Sequence, residues 1–389
     1  MNKIVNNLKI SYNDEGPDGA PVIVFIHGFP LNKSMWNKQV EALKVNYHVI
    51  AYDIRGHGNS DIGEEDFTID LFVNDLLHLM SALKIEKAIL CGLSMGGYIA
   101  LNAIENFPER FDALILSDTN CIADSPEAKE KRMNAIENIK NNGVEKYAVE
   151  SMKNLFAPES FKSKKEEIDA AWEMIVKTST QSLYNTLHAL SERKETCNKL
   201  SQIKVPVLIM VGSEDSITPP ASASLMHEKI KGSFMQIIDH AGHLSNMENP
   251  VEFNDQLKKF VDSVCEKQLN NIHKINNIHK INNQSEENSA LNQESFKFQK
   301  GNQPDLNGQN QGKGYSDMDA EADLNAKILK ITMTIMDQYP ELSKYLEEMP
   351  VTIPNKKNPD ITLNNLKTYY ESLSLMLNKY KSEHPAIGI

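Results

Sequence analysis

The chain has 389 residues, a hydrophobic fraction of 40%, a charged fraction of 24% and a formal net charge of −12, a composition expected of a soluble globular protein of two or three units. The acidic balance argues against a nucleic-acid partner, which needs clustered cations, and no run reaches the roughly 18 apolar residues of a membrane span. The first residues, MNKIVNNLKISYNDEG, carry no secretory signal pattern, and Cys91, Cys121, Cys197 and Cys265 show no CxxC or metal-ligand spacing, so a cytoplasmic protein with buried or incidental thiols in a reducing compartment is expected.

Short β-branched runs alternate with helical patterns over the first part of the chain. PVIVFIH (21–27), YHVIAYD (47–53), KAILCG (87–92), DALILSD (112–118) and VPVLIMVG (205–212) read as strands, and their nearly unbroken apolar character fits parallel strands buried on both faces. Helices are predicted over 34–44, 68–83 and 95–106. The expected fold class is α/β, a mostly parallel, doubly wound sheet with right-handed crossovers. From about 122 to 196 only amphipathic helical stretches occur, so this segment reads as a cap over the carboxyl edge of the sheet, where α/β proteins place their sites. The first domain is thus expected to span 1–265.

Residues 266–319 are rich in Asn, Gln, Ser, Gly and Lys and hold a tandem NNIHKI at 270–275 and 276–281, the composition of a flexible linker. His273 and His279 do not share a helical face, which argues against a metal role. In 320–389, Leu324, Ile328, Ile331 and Ile335, and then Leu363, Leu366, Tyr370, Leu373, Leu377 and Tyr380, recur at steps of three and four. The prolines of MPVTIPNKKNP separate the two stripes, so a C-terminal helical hairpin is expected, docking on a partner or forming a homo-oligomer because two helices alone bury little surface.

GLSMGG (92–97) carries the chemistry. A G-x-S-x-G run between a strand and a helix is a nucleophile elbow: Ser94 sits on a strained turn, and Gly92 and Gly96 let strand and helix pack closely around it. A serine hydroxyl needs a base, and the base an acid to orient it. The order Ser, acid, His requires an acid after a late strand and a histidine one strand later; VPVLIMVGSEDSITPP offers Glu214 and Asp215, and FMQIIDHAGHLSNMENP offers His240 and His243. The oxyanion formed on attack needs preorganised donors. One is the backbone N–H of Met95, and the other belongs to the HGFP loop (27–30), where Gly28 lets the backbone approach substrate and His27 braces the loop. Asp53, Arg55 and His57 of YDIRGHGNS read as a hydrogen-bonded scaffold.

HGFPLNKSMW, YDIRGHGNS, GLSMGGYIAL, VGSEDSITPP and AGHLSNMENP follow one another in residues 1–265. In this region the chain resembles the cofactor-free α/β-hydrolases, and among them the 3-oxoadipate enol-lactonase-like esterases. The resemblance implies Asp215 as the acid, His243 as the base and Phe29 as the second oxyanion donor, with no metal or cofactor. Serine at the elbow, where the dehalogenases of this fold carry aspartate, implies acyl transfer on a small-molecule ester or lactone. A carbon–carbon bond or thioester hydrolase with the same triad, and a non-catalytic homologue that keeps the pocket, are the alternatives. Met133, Met152, Phe156, Trp172, Met174, Leu187 and Trp36 are candidates for a mostly apolar substrate pocket, although ordinary helix packing is the plainer reading of any one of them. Arg132 and Arg193 are the cap-region candidates for a substrate carboxylate.

Overall fold

Strands that are apolar on both alternating faces need cover on both sides, and the sheet has it. The computed structural model describes residues 1–267 together with Ser374, Leu377 and Tyr380. Eight strands run β1 (Asn2–Val5), β2 (Leu8–Glu15), β3 (Val22–Ile26), β4 (His48–Tyr52), β5 (Ala88–Leu93), β6 (Phe111–Ser117), β7 (Val207–Gly212) and β8 (Phe234–Ile238). Their order in the sheet is β1-β2-β4-β3-β5-β6-β7-β8, parallel from β4 onward and antiparallel where β1 and β2 join. Val24, Ile26, Leu90, Leu116 and Ile209 pack under α2 (Ile69–Ala82) and α3 (Met95–Asn106). The intervening residues Ile23, Phe25, Ile89, Ile115 and Leu208 face the other layer, with α1 (Asn37–Leu43) and a helix over 250–267. The period of two along each strand therefore divides the core in half.

β3 pairs with β4 on one side and β5 on the other, and Ile26 lies opposite Gly92. The strand order thus reverses at β3, and the loops after β3 and β5 leave the same edge side by side, where such sheets open a crevice. The hairpin of β1 and β2 is an element the sequence reading passed over. Both strands mix polar with apolar residues, since they sit at the margin of the sheet, and their turn is Asn6–Asn7 at φ 50° and 61°, the left-handed conformation that two-residue hairpins favour.

The cap enters after β6 and consists of α4 (Pro126–Leu155), α5 (Ser160–Ser163), α6 (Lys165–Lys177) and α7 (Thr180–Ser191). Ser125 caps α4 by accepting from Ala128 N, and Ser179 caps α7 by accepting from Ser182 N, as short hydroxyl side chains do at helix starts. Gly143, at φ 84°, breaks α4 into two segments.

Cys121 and Cys197 are joined in a disulfide across 76 residues, which corrects the expectation of thiols throughout. They stand on the two stems of the cap, where Thr196 N also donates to Cys121 O (2.9 Å). No spacing rule betrays such a pair, because the fold brings the stems together. Cys91 and Cys265 are unpaired. Among the described residues no helix is long and apolar enough to cross a membrane. The chain divides into two compact units, Met1–Asn288 and Ser289–Ile389. The expected hairpin lies outside the described residues, apart from Ser374, Leu377 and Tyr380, which are helical, with Leu377 buried. The expected linker does too, apart from residues 266 and 267, which continue the helix from 250.

Closing a loop of this length restricts the unfolded chain, so replacing Cys121 and Cys197 together by serine is expected to cost about 2–4 kcal/mol of stability. A urea midpoint that stays where it is in wild type would show that the bond contributes nothing to the fold.

Candidate active site

β5 ends at Leu93 and α3 begins at Met95, leaving Ser94 alone to make the turn, at φ 54° and ψ −114°. A residue with a Cβ is held there at a cost of order 1–3 kcal/mol. Ser94 N donates to Ser117 O (3.0 Å) and Thr119 Oγ1 donates to Ser94 O (2.8 Å), so the turn is tied to the end of β6. Gly96 permits it: a Cβ at that position would lie 2.1 Å from Ile26 O.

The loop after β7 carries Asp215 and the loop after β8 carries His243. Asp215 Oδ1 accepts from the N–H groups of Ile217 (2.8 Å) and Thr218 (3.0 Å), and Oδ2 from Thr218 Oγ1 (2.7 Å) and His243 Nδ1 (2.9 Å). Burial opposes a charge on Asp215, but His243 and these donors outweigh it and hold the carboxyl below its ordinary pKa. For His243 burial works against the cation, and the Asp215 charge and hydrogen bond, with Asp118 and Glu248 behind them, raise its pKa above the ordinary value. Glu214 and His240, the competing neighbours, are both exposed.

Two buried groups beneath these loops were not singled out in the sequence. Asp118 directly follows β6 at φ 44° and accepts from Gly212 N (2.8 Å), Ser117 Oγ (2.8 Å) and Ser245 Oγ (2.5 Å). Burial, and then the charge of Asp215, pushes it up to about 7. Thr218 fixes the acid from two sides. On the opposite flank, His27 donates from Nδ1 to Gly28 O (3.0 Å) and accepts at Nε2 from Ile54 N (3.0 Å), so the ring is neutral and braces the loop that presents Phe29. Asp53 accepts from Lys33 Nζ (2.6 Å), Lys33 N (2.9 Å) and Asn59 N (3.0 Å). Arg55 forks onto Asp75 (2.5 and 2.8 Å). These residues are a scaffold, and their hydrogen bonds are spent within it.

Ser94, His243 and Phe29 share the wall of a cavity of about 700 Å³ beneath the cap. Met95 opens α3, so its N–H has no carbonyl partner within the helix. The cap lines the cavity with Arg132, Asn134, Asn138, Tyr147, Ser151 and Leu155 from α4, and with Leu187 and Leu190 from α7. A serine, an imidazole and a buried carboxylate so placed can perform nucleophilic acyl transfer. Among the described residues no three His, Cys, Asp or Glu side chains come together as a metal site.

The model of the alpha/beta hydrolase fold family matches residues 21–250. The chain belongs to the α/β-hydrolase family. Over 256 residues this hydrolase is 32% identical to 3-oxoadipate enol-lactonase 1 of Acinetobacter baylyi, covering 66% of the chain and 94% of that protein. A solved thermophilic esterase from Thermogutta terrifontis is 31% identical at a TM-score of 0.64, over 68% of this chain and 98% of that one. The enol-lactonase from Burkholderia xenovorans is 27% identical, with a TM-score of 0.64, over 67% of this chain and 100% of its own.

The candidates for an apolar pocket lie mostly in packing contacts. Trp36 is fully buried in the core, with ring centroids 4.7 Å from Phe25 and 6.1 Å from Phe253. Met152 and Phe156 pack in the core between cap and sheet, and Trp172 is 38% exposed on α6. None of these four lines the hydrolase cavity, and neither do Met133 and Met174; Leu187 does. Apolar spacing on a cap helix is satisfied equally by packing on the domain below. The cavity wall mixes polar and apolar side chains in nearly equal measure, and both Arg132 and Arg193 stand in it. The two guanidinium groups share one carboxylate, that of Asp124. Burial raises the Asp124 carboxyl, and Arg132 and Arg193 more than reverse that and lower its pKa. Arg193 lies 4.3 Å over the Tyr98 ring and donates from Nη2 to Ile122 O (2.8 Å), so it fastens the cap stem as well. Tyr98, Asn120 and Arg193 also border a second cavity of about 620 Å³.

Burial pushes His27 down to about 4 and His57 to about 3. At these two rings the unfolded chain therefore takes up protons near the usual 6.5 while the folded one resists, so their contribution to stability is full above that value and falls as pH drops. A loss of about 2 kcal/mol for each ring is expected between about pH 7.5 and about pH 5. Asp118 and His243, both raised, work the opposite way over the same interval. The check is therefore His57→Gln beside wild type: its urea midpoint should fall less between the two pH values, and an identical pH dependence would rule the contribution out.

Proposed function

We propose that this hydrolase cleaves a carboxylic ester or lactone that itself bears an acid group, through Ser94, His243 and Asp215 and an acyl-enzyme. The reading rests on one observation: the 2.9 Å bond from His243 Nδ1 to Asp215, with His243 and Ser94 on the wall of one cavity. Because Nδ1 is engaged, Nε2 takes the Ser94 proton as Oγ attacks the carbonyl, and Asp215 holds the tautomer and stabilises the imidazolium. The backbone N–H groups of Phe29 and Met95 meet the oxyanion. His243 then protonates the leaving alkoxide and later activates water against the acyl-enzyme. For a lactone, the leaving oxygen stays attached to the acyl group and departs with it.

The acid group on the substrate follows from the cavity charges. Lys131, Arg132 and Arg193 face only Asp124 and Glu150 there, leaving one cation in excess. Arg132 spends Nε and Nη2 on Asp124, and its Nη1 makes no bond within the described residues. A carboxylate would complete that guanidinium. The two enol-lactonase relatives support the lactone side of this reading and the Thermogutta terrifontis esterase the ester side.

Ser94→Ala is expected to abolish hydrolysis of p-nitrophenyl acetate while leaving the protein folded; retained turnover would sink the assignment. Arg132→Gln is expected to raise KM for the p-nitrophenyl monoester of succinate about tenfold or more, the loss of a charge-assisted hydrogen bond, and to leave p-nitrophenyl butyrate nearly unaffected. Equal effects on both substrates would remove the carboxylate from the proposal. Since the base must be neutral and His243 is raised above its ordinary value, kcat/KM should fall with decreasing pH at a point above that value. A profile flat down to pH values well below it would contradict the assignment.

A further inference from the structure

Glu248 is fully buried, 1% exposed, and lies five residues beyond His243. Its two carboxylate oxygens are divided between two parts of the molecule. Oε1 accepts from Gly242 N (2.8 Å), the residue before His243. Oε2 accepts from Ala157 N (2.8 Å) and Ser160 Oγ (2.6 Å), both in the cap where α4 gives way to α5. All three partners donate and favour the charged form, while burial outweighs them and raises the carboxyl above its ordinary pKa. The two backbones meet at the same place. Leu244 N donates to Leu155 O (3.1 Å), and a Cβ on Gly242 would lie 2.6 Å from Ala157 N. Leu155 and the rest of α4 that faces inward form a cavity wall. The helix against which substrate rests is therefore hydrogen-bonded, through one side chain and one backbone contact, to the loop that carries the base.

We infer that Glu248 is a positioning residue that keys the His243 loop to α4, so that the base and the substrate-bearing wall of the cap keep one register. The inference rests on the assignment of His243 as the base. A buried carboxylate serves better than an amide, because its two oxygens accept from both sides at once, whereas glutamine would turn an N–H₂ toward one donor. Its charge also reaches the imidazole. Asp215 Oδ2, Asp118 and Glu248 are the acidic groups acting on His243, and removing any one of them disfavours the imidazolium.

Full-length wild type, Glu248→Gln, Ser160→Ala, Ser94→Ala and His243→Ala would be compared on p-nitrophenyl acetate, with circular dichroism to establish folding. Glu248→Gln is expected to lower kcat about tenfold or more with KM little changed, and to move the acid limb of the kcat/KM profile to lower pH. Ser160→Ala keeps the carboxylate and its bond to Gly242; it should lower kcat about threefold, as one lost hydrogen bond does, with the limb unmoved. A folded Glu248→Gln enzyme with wild-type kcat and limb overturns the inference, as does one that is only less heat-stable. If Glu248→Gln does not fold, Ser160→Ala decides: wild-type kcat and KM overturn the coupling to the cap. Activity surviving in Ser94→Ala or His243→Ala would instead strike at the underlying assignment. Loss in those two with no effect at Glu248 and Ser160 removes the positioning role alone.

Discussion

The backbone of α3 passes so close to β3 that a single methyl group at Gly96 would fall 2.1 Å from Ile26 O. That contact sets the distance between the loop after β3 and the turn after β5, and with it the relation of Phe29 to Ser94. Parallel pairing of β3 with β5 brings Ile26 opposite Gly92; the missing side chain at Gly96 then lets the helix settle onto that pair. The strain of Ser94 is sustained because its N–H and C=O are both bonded to the end of β6. Three neighbouring strands of the sheet thus contribute to one serine.

Around this frame the molecule buries several ionisable groups, and it does so without leaving them bare. Asp53, Arg55, Asp118, Asp215 and Glu248 are all nearly inaccessible, yet each is surrounded by donors or acceptors from more than one element. Burying an ion is tolerated on that condition. The distribution has a direction: the scaffold under the loop of His27 is closed upon itself, whereas Asp118 and Glu248 bond outward to the loops of Asp215 and His243. The polar interior therefore also holds the loops from β6, β7 and β8 in relation to one another.

Much of the α/β architecture is legible in the sequence because unbroken apolar runs can only be strands covered on both faces, and Val22–Ile26 through Val207–Gly212 lie within the predicted runs to a residue or so at each end. β1 and β2 were not legible as buried strands, since each carries exposed or half-buried residues beside buried ones, although the adjacent Asn6 and Asn7 were a turn signal. Ser94 announces itself through its glycines, and the order of acid and base through strand count. The lining of the cavity is another matter. Trp36 and Phe156 have the same apolar character whether they face a ligand or a core, and nothing local tells the two apart. Asp124 and Glu248 gain their meaning only from partners distant in sequence: Asp124 from Arg193, and Glu248 from Ala157 and Ser160. Asp118 was discernible in principle, as an ionisable residue ending a buried strand.

The bond between Cys121 and Cys197 makes the cap a covalent ring whose clasp lies on the domain beneath it. Every helix of the cap falls between the two cysteines in the chain. Cutting the backbone anywhere in that ring would leave the two fragments as one molecule, with β1 to β6 on one piece and β7 and β8 on the other. They would part on a denaturing gel only after reduction. A protease could thus sever the roof over Ser94 without shedding it, and a nicked molecule would keep both ends of its cap tethered above the carboxyl edge of the sheet.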